Sequence, residues 1–148
     1  MAISLITAAS QGGAPAFSVY ANANQSVTAS TNTKVQLNTK NFDTANCFDT
    51  SAYRYTPNVA GYYQISYQLY LNSGFVTAVC KLYKNGSNIT WSEAYGNSTS
   101  TPAMCGSILI YMNGSTDYIE LYVNAGNNNS TFGRSDLTWM TGSFVRSA

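Results

Sequence analysis

Histidine is absent from the 148 residues, and charge is scarce: seven basic and six acidic side chains make up 9% of the chain. An average globular protein carries about 25%. Without histidine there is no His-based catalytic triad, no His-ligated zinc and no imidazole pH switch. A near-zero net charge leaves no electrostatic footprint for nucleic acid or an anionic membrane, so neither partner is expected. No apolar run approaches the roughly 18 residues of a membrane helix. The opening MAISLITAAS has no basic n-region, which makes it a weak signal peptide. Cys47, Cys80 and Cys105 are odd in number and lack C-x-x-C spacing, against both a disulfide framework and a zinc site. Cys80 reads as a buried thiol within a strand pattern, and a bond to Cys105 stays open if their strands are neighbours. No cofactor or metal is expected.

A sustained 3.6-residue apolar period is also missing. In its place short alternating runs recur between Asn-Gly, Gly-Ser and Asn-Asn clusters. They predict strands near residues 16–21, 34–37, 53–55, 62–71, 77–84, 89–94, 104–112, 118–123 and 138–146. Asn85-Gly86 and Asn113-Gly114 follow two of these runs, and that dipeptide favours tight hairpins because it tolerates positive φ. Many short strands without helices imply a sandwich or barrel. The sequons at Asn24, Asn85, Asn88, Asn97, Asn113, Asn128 and Asn129 read as unmodified turns.

The phases of the strands assign faces. Ile119, Leu121 and Val123 oppose Tyr118, Glu120 and Tyr122, and Ala78, Cys80 and Leu82 oppose Lys81 and Tyr83. These are half-buried strands. Residues 62–71, 107–112 and 138–145 instead carry apolar or neutral groups on both faces, which calls for a cover on each side. One cover is the core. The face made by Tyr62, Gln64, Ser66, Gln68 and Tyr70 is uncharged and tyrosine-rich; it is either a protein–protein interface or a neutral solvent face.

The order of short motifs resembles the C1q/tumour-necrosis-factor jelly-roll family. Ala16-Phe-Ser-Val19 is similar to the family's opening strand, Val35-Gln-Leu-Asn38 to its second element, and Phe48-Asp49 to its aromatic-Asp pair. Tyr55-Thr-Pro-Asn-Val-Ala-Gly-Tyr-Tyr63 resembles the aromatic-x-x-P-x-x-G-x-Y segment, with the proline one place early. Leu82-Tyr-Lys-Asn-Gly86, Gly106-Ser-Ile-Leu-Ile-Tyr111 and Thr138-Trp-Met-Thr-Gly-Ser-Phe-Val-Arg146 complete the order. Gly114-Ser-Thr-Asp117 departs from the usual Gly-Asp, and Ser143 stands where an aromatic is common. The resemblance implies an all-β, two-sheet antiparallel jelly roll over residues 15–148, assembling as a homotrimer around the sheet with two-faced strands. Carried over by position, it puts Tyr62, Gln64, Ile108, Ile110, Met140 and Phe144 at the trimer interface.

Catalysis requires converging acids, bases, nucleophiles or metals, and the six carboxylates are scattered. Asp43 with Asp49 is the nearest thing to a pair, and Asp43, Asp49 and Asp117 are loop carboxylates that cluster too little to argue a calcium site from sequence. A non-enzymatic role is expected. The amide-rich composition, free thiols and weak signal peptide resemble phage proteins assembled in a bacterial cytoplasm, where C1q-like trimers serve as capsid decoration (cement) proteins, head fibres and tail-fibre tips. Residues 1–14 then form an attachment arm that docks Ile3, Leu5 and Ile6 on another virion protein, such as the major capsid protein. The alternative is a fibre tip binding a host glycan or receptor, with Trp91 and Tyr95, beside Asn97, as contacts. Trp91 also reads as plain outer-sheet packing.

Overall fold

The computed structural model describes residues 14–72, 74–96, 101 and 103–148. Within them the alternating pattern becomes strand after strand, with no helix. In chain order the strands are β1 (Ala16–Tyr20), β2 (Gln25–Val27), β3 (Thr33–Lys34), β4 (Thr39–Asp43), β5 (Phe48–Asp49), β6 (Arg54–Tyr55) and β7 (Gly61–Tyr70). They continue with β8 (Thr77–Lys84), β9 (Ser87–Tyr95), β10 (Ala103–Met112), β11 (Ile119–Ala125), β12 (Asn129–Thr131) and β13 (Trp139–Arg146). One sheet runs β10-β7-β13-β1-β4; the other runs β5-β6-β11-β8-β9 with β3 paired to β11. β2 and β12 form a separate two-stranded ribbon. The result is an antiparallel two-sheet sandwich, as the sequence predicts.

The core lies between the sheets because each strand turns one phase inward. Tyr63, Ile65, Tyr67 and Leu69 of β7 are at most 1% exposed, and face Ala78, Cys80, Leu82, Leu121 and Val123 of the other sheet. At one end the sheets are joined by aromatic rings. Phe17 stacks on Tyr55 at 4.1 Å, Tyr55 meets Tyr63 edge-on at 6.0 Å, and Tyr63 meets Phe144 at 5.4 Å. Such pairs add about 0.5–1.5 kcal/mol each beyond their buried area.

The long strands fall where the pattern puts them, to within two residues. Four short ones were not foreseen: β2, β4, β5 and β12. Of the expected 34–37 segment only Lys34 lies in a strand, β3, and Val35 and Leu37 beyond it are completely buried plugs. Asn85-Gly86 closes the β8–β9 hairpin with φ of 51° and 78°, the two positive values of a type I′ turn. Asn113-Gly114 closes no hairpin, because β10 and β11 belong to different sheets. There the Asn113 side-chain carbonyl accepts the N–H groups of Ser115, Thr116 and Asp117, folding a crossing loop.

These two turns give a stability test. Both glycines have positive φ, so an added Cβ costs about 1–2 kcal/mol at either. At Gly86 the new methyl group meets only the Tyr118 hydroxyl, 3.8 Å away, whereas at Gly114 it runs into the backbone of Val59 and Ala60. Gly114→Ala should therefore lower the melting temperature at least twice as far as Gly86→Ala, by thermal circular dichroism. Equal losses would mean that the Gly114 loop yields.

Candidate functional site

The three strands with two uncharged faces, β10, β7 and β13, are direct neighbours in one sheet. Their outward side chains form a single surface. Register aligns it in ranks: Tyr111 beside Tyr62; Leu109, Gln64 and Ser143; Ser107, Ser66 and Thr141; Cys105, Gln68 and Trp139. The hydroxyl rank continues to Ser18 of β1. It is knit by hydrogen bonds: the Ser66 and Ser107 hydroxyls lie 2.8 Å apart, and Gln64 Nε2 donates to Ser107 Oγ at 2.6 Å. Short hydroxyl side chains thus form a shallow centre between ranks that carry the longer Leu109, Gln64, Gln68 and Trp139.

On this surface Leu109 is 54% exposed, Tyr111 40% and Val145 52%. Tyr62 and Tyr111 meet edge-on at 5.7 Å. Two cations mark the same rim: the Arg146 guanidinium lies 5.3 Å from the Tyr62 ring centre and the Lys84 ammonium 5.8 Å from that of Tyr111. No carboxylate occupies an outward position of β7, β10 or β13.

Of the six expected interface residues, Tyr62 and Gln64 point outward. The other four do not. Met140 is 0% exposed, and Ile108, Ile110 and Phe144 pack against the core from their partly buried positions. The phase was misread because β10 is apolar on both faces, Ile108 and Ile110 on one and Leu109 and Tyr111 on the other. A usable signal was the glycine. Gly106 shares the phase of Ile108 and Ile110, and Gly142 that of Met140 and Phe144. A Cβ at Gly106 would strike the Tyr67 hydroxyl, and one at Gly142 the side chains of Ile65 and Phe17, so both glycines face the core. The outward residues that reasoning missed include Leu109, Tyr111, Cys105 and Val145.

The opposite sheet carries a second exposed surface. On β9, Trp91 is 64% exposed and Tyr95 76%, with Glu93 between them on the same outward face. Trp91 is therefore not packed into the outer sheet. A cavity of about 340 Å³ lies beside it, lined by Asn88, Ile89, Thr90 and Trp91. Glu93 next to Tyr95 pushes the Tyr95 phenol above its ordinary value, by hydrogen bonding first and charge second. Asn97, Ile3, Leu5 and Ile6 lie outside the described residues.

The loop carboxylates are spent on structure. Asp43 accepts the N–H groups of Cys47 and Phe48 and pairs with Lys40 at 2.8 Å. Asp49 accepts from the Ser51 N–H and hydroxyl and the Ala52 N–H. Asp117 accepts from Asn85 and the Asn113 N–H and pairs with Lys84 at 2.8 Å. Among the described residues no three His, Cys, Asp or Glu side chains converge as metal ligands would. The unforeseen charge is Glu120, 2% exposed, which binds Lys34 Nζ at 2.8 Å and Arg54 at 2.7 Å and accepts from the Tyr122 hydroxyl.

Cys80 and Cys105 lie in different sheets, Cys80 inward and Cys105 outward, and all three cysteines are free thiols. Burial pushes the Cys80 thiol far up, and the Cys47 thiol up. Native protein should accordingly leave Cys80 unreacted with a thiol reagent, and denatured, unreduced protein should titrate three thiols. One free thiol per denatured chain would reveal a disulfide.

No family model matches the chain, and no curated protein matches it. Solved structures do. The Eiger TNF from S. frugiperda superimposes with a TM-score of 0.77 at 9% identity, over 92% of this chain and 95% of that one. Murine APRIL at pH 5.0 gives 0.73 at 9% identity, over 89% and 99%. The globular domain of zebrafish complement 1qA protein gives 0.70 at 14% identity, over 90% and 99%. The likeness is one of fold: an all-β antiparallel sandwich of the TNF and C1q jelly-roll type.

Proposed function

We propose that this chain is a non-enzymatic assembly protein, a homotrimer that packs through the outer face of the β10-β7-β13 sheet and serves as a virion decoration or head-fibre protein. The observation that carries the trimer is the carboxylate-free surface of the exposed Leu109, Tyr111 and Val145 with the half-buried Tyr62. Apolar area of this kind is favourable to remove from water at about 25 cal/mol per Å². The shallow hydroxyl centre lets another copy approach closely, and trimeric assembly is typical of TNF and C1q folds. The virion part rests on composition. Few charges, many amides and hydroxyls, and unpaired thiols suit a protein assembled in a reducing cytoplasm. Attachment through Ile3, Leu5 and Ile6 of the 1–14 arm, on a capsid protein, completes the reading.

Light scattering tests the assembly: the expected mass is three times the 16.0 kDa of one chain. Cys105 serves as a second reporter, because it is exposed in the single chain and lies on the proposed interface. Its reaction with a thiol reagent should be slow in the assembly and rapid in a dissociated variant. The virion part is tested by immunogold labelling of particles from the source; unlabelled particles would end that reading.

A further inference from the structure

From Trp91, Glu93 and Tyr95 we infer that the outer face of the six-stranded sheet is a binding platform for a neutral oligosaccharide. The site is independent of the proposed assembly, because it lies on the sheet opposite the self-association face.

Strand geometry sets the platform. Trp91, Glu93 and Tyr95 alternate with the inward Ser92 and Ala94, so the three point the same way along β9. At about 3.4 Å per residue, the Trp91 and Tyr95 backbone positions are about 14 Å apart along the strand, the reach of a short oligosaccharide. Both rings stay well over half exposed. An indole left in water on a sheet is one of the larger apolar surfaces a side chain can present, and among the described residues nothing covers it. Pyranose rings offer what fits it: flat C–H faces to lie on an aromatic ring and hydroxyls around the edge.

The polar neighbours suit hydroxyls. The Glu93 carboxylate, hydrogen-bonded to the Tyr95 hydroxyl, keeps acceptor capacity for a further hydroxyl, and Asn88 borders the cavity beside Trp91 with both a donor and an acceptor. Across the ladder, Lys81 is the register partner of Trp91. Its Nζ donates to Asn32 Oδ1 at 3.0 Å, and Asn124 Nδ2 donates to the same oxygen at 3.2 Å. Asn32 Nδ2 in turn donates to the Tyr83 hydroxyl at 3.3 Å. The ladder partner of Trp91 is thus tied into a network of amides and a phenol already held in place.

Charge selects the ligand class. Lys81, the register partner of Trp91, donates to Asn32, and a carboxylate sits between the two rings. A polyanion such as nucleic acid or a sulfated or uronic glycan would meet that carboxylate directly. A protein partner would be expected to demand a larger apolar centre than two rings separated by a charge. An uncharged, hydroxyl-rich chain matches all three groups.

The test is a binding screen on the intact protein with cello-, manno- and chito-oligosaccharides and dextran, with heparin as the anionic control, followed by tryptophan fluorescence. At least one neutral saccharide should bind and perturb the emission. Trp91→Ala should weaken it at least about tenfold, as the loss of a central aromatic contact does, with unchanged mass and melting temperature. Trp91→Phe should retain part of the affinity. The proposal is overturned if no neutral saccharide binds, if heparin binds in preference, or if Trp91→Ala binds as well as the parent. None of these outcomes bears on the trimer, which the mass measurement decides separately.

Discussion

Leu109→Asp and Tyr62→Asp should each convert the trimer to folded monomers, while Met140→Asp should leave no folded protein. Leu109 and Tyr62 point away from the core, so a carboxylate there is solvated in the single chain. In a three-fold assembly the same carboxylate is buried three times over, each at a desolvation cost of several kcal/mol. Met140 is 0% exposed in the sandwich. A carboxylate at that site must be desolvated in every folded chain, a penalty comparable with the whole stability of a domain, about 5–15 kcal/mol. Light scattering and far-ultraviolet circular dichroism together separate the two outcomes. A Leu109→Asp protein that keeps three times the single-chain mass would place the interface elsewhere. A parent protein that is monomeric at micromolar concentration would remove the interface altogether.

That contrast also shows what the sequence could and could not reveal. Period 2 was unambiguous in β7, where Tyr63, Ile65, Tyr67 and Leu69 alternate with Tyr62, Gln64, Ser66 and Gln68, and both faces were assigned correctly. In β10 the run Ser107-Ile-Leu-Ile-Tyr111 is apolar in either phase, so hydrophobicity carries no phase information there. Backbone approach does carry it, through Gly106 and Gly142. The short strands were illegible for a different reason. β2 and β12 are three residues each, rich in Ser, Gln, Asn and Thr, and they form by pairing with each other across about a hundred residues of chain. No local pattern encodes that. Similarly, Asn113-Gly114 has the chemistry of a hairpin turn, but the strands around it enter different sheets, and tertiary packing decides its use. On the β9 surface the sequence offered Trp91 both as a ligand contact and as outer-sheet packing; the fold leaves the indole uncovered among the described residues.

Acid should destabilise this protein through carboxylates alone, and Glu120 should carry the largest share. Burial by itself would raise the Glu120 carboxyl, but Lys34 and Arg54 outweigh it and hold the group below its ordinary 4.5. Asp43 is likewise lowered from 3.8 despite burial, by Lys40 and the N–H groups of Phe48 and Cys47, and Asp117 by Lys84, Asn85 and Asn113. A carboxylate whose folded value is depressed stabilises the native state above its unfolded value, and that contribution is lost as the pH falls through the folded one. With no histidine in the chain, the melting temperature should be flat from about pH 8 to pH 5.5 and should fall below about pH 4.5. Glu120→Gln leaves Lys34 and Arg54 facing a neutral amide. Both cations are about a third exposed and rehydrate in part, so the loss should fall near 2–3 kcal/mol, under the 3–5 of a fully buried pair. For a chain of this size that is roughly 5–10 °C at pH 7. The gap between the variant and the parent should then narrow as the pH falls below 4.5 and through the depressed folded value, where the parent's Glu120 is itself becoming neutral. A constant gap at every pH would show that the loss comes from packing and hydrogen-bond geometry, and that the ion pairs of Glu120 contribute little.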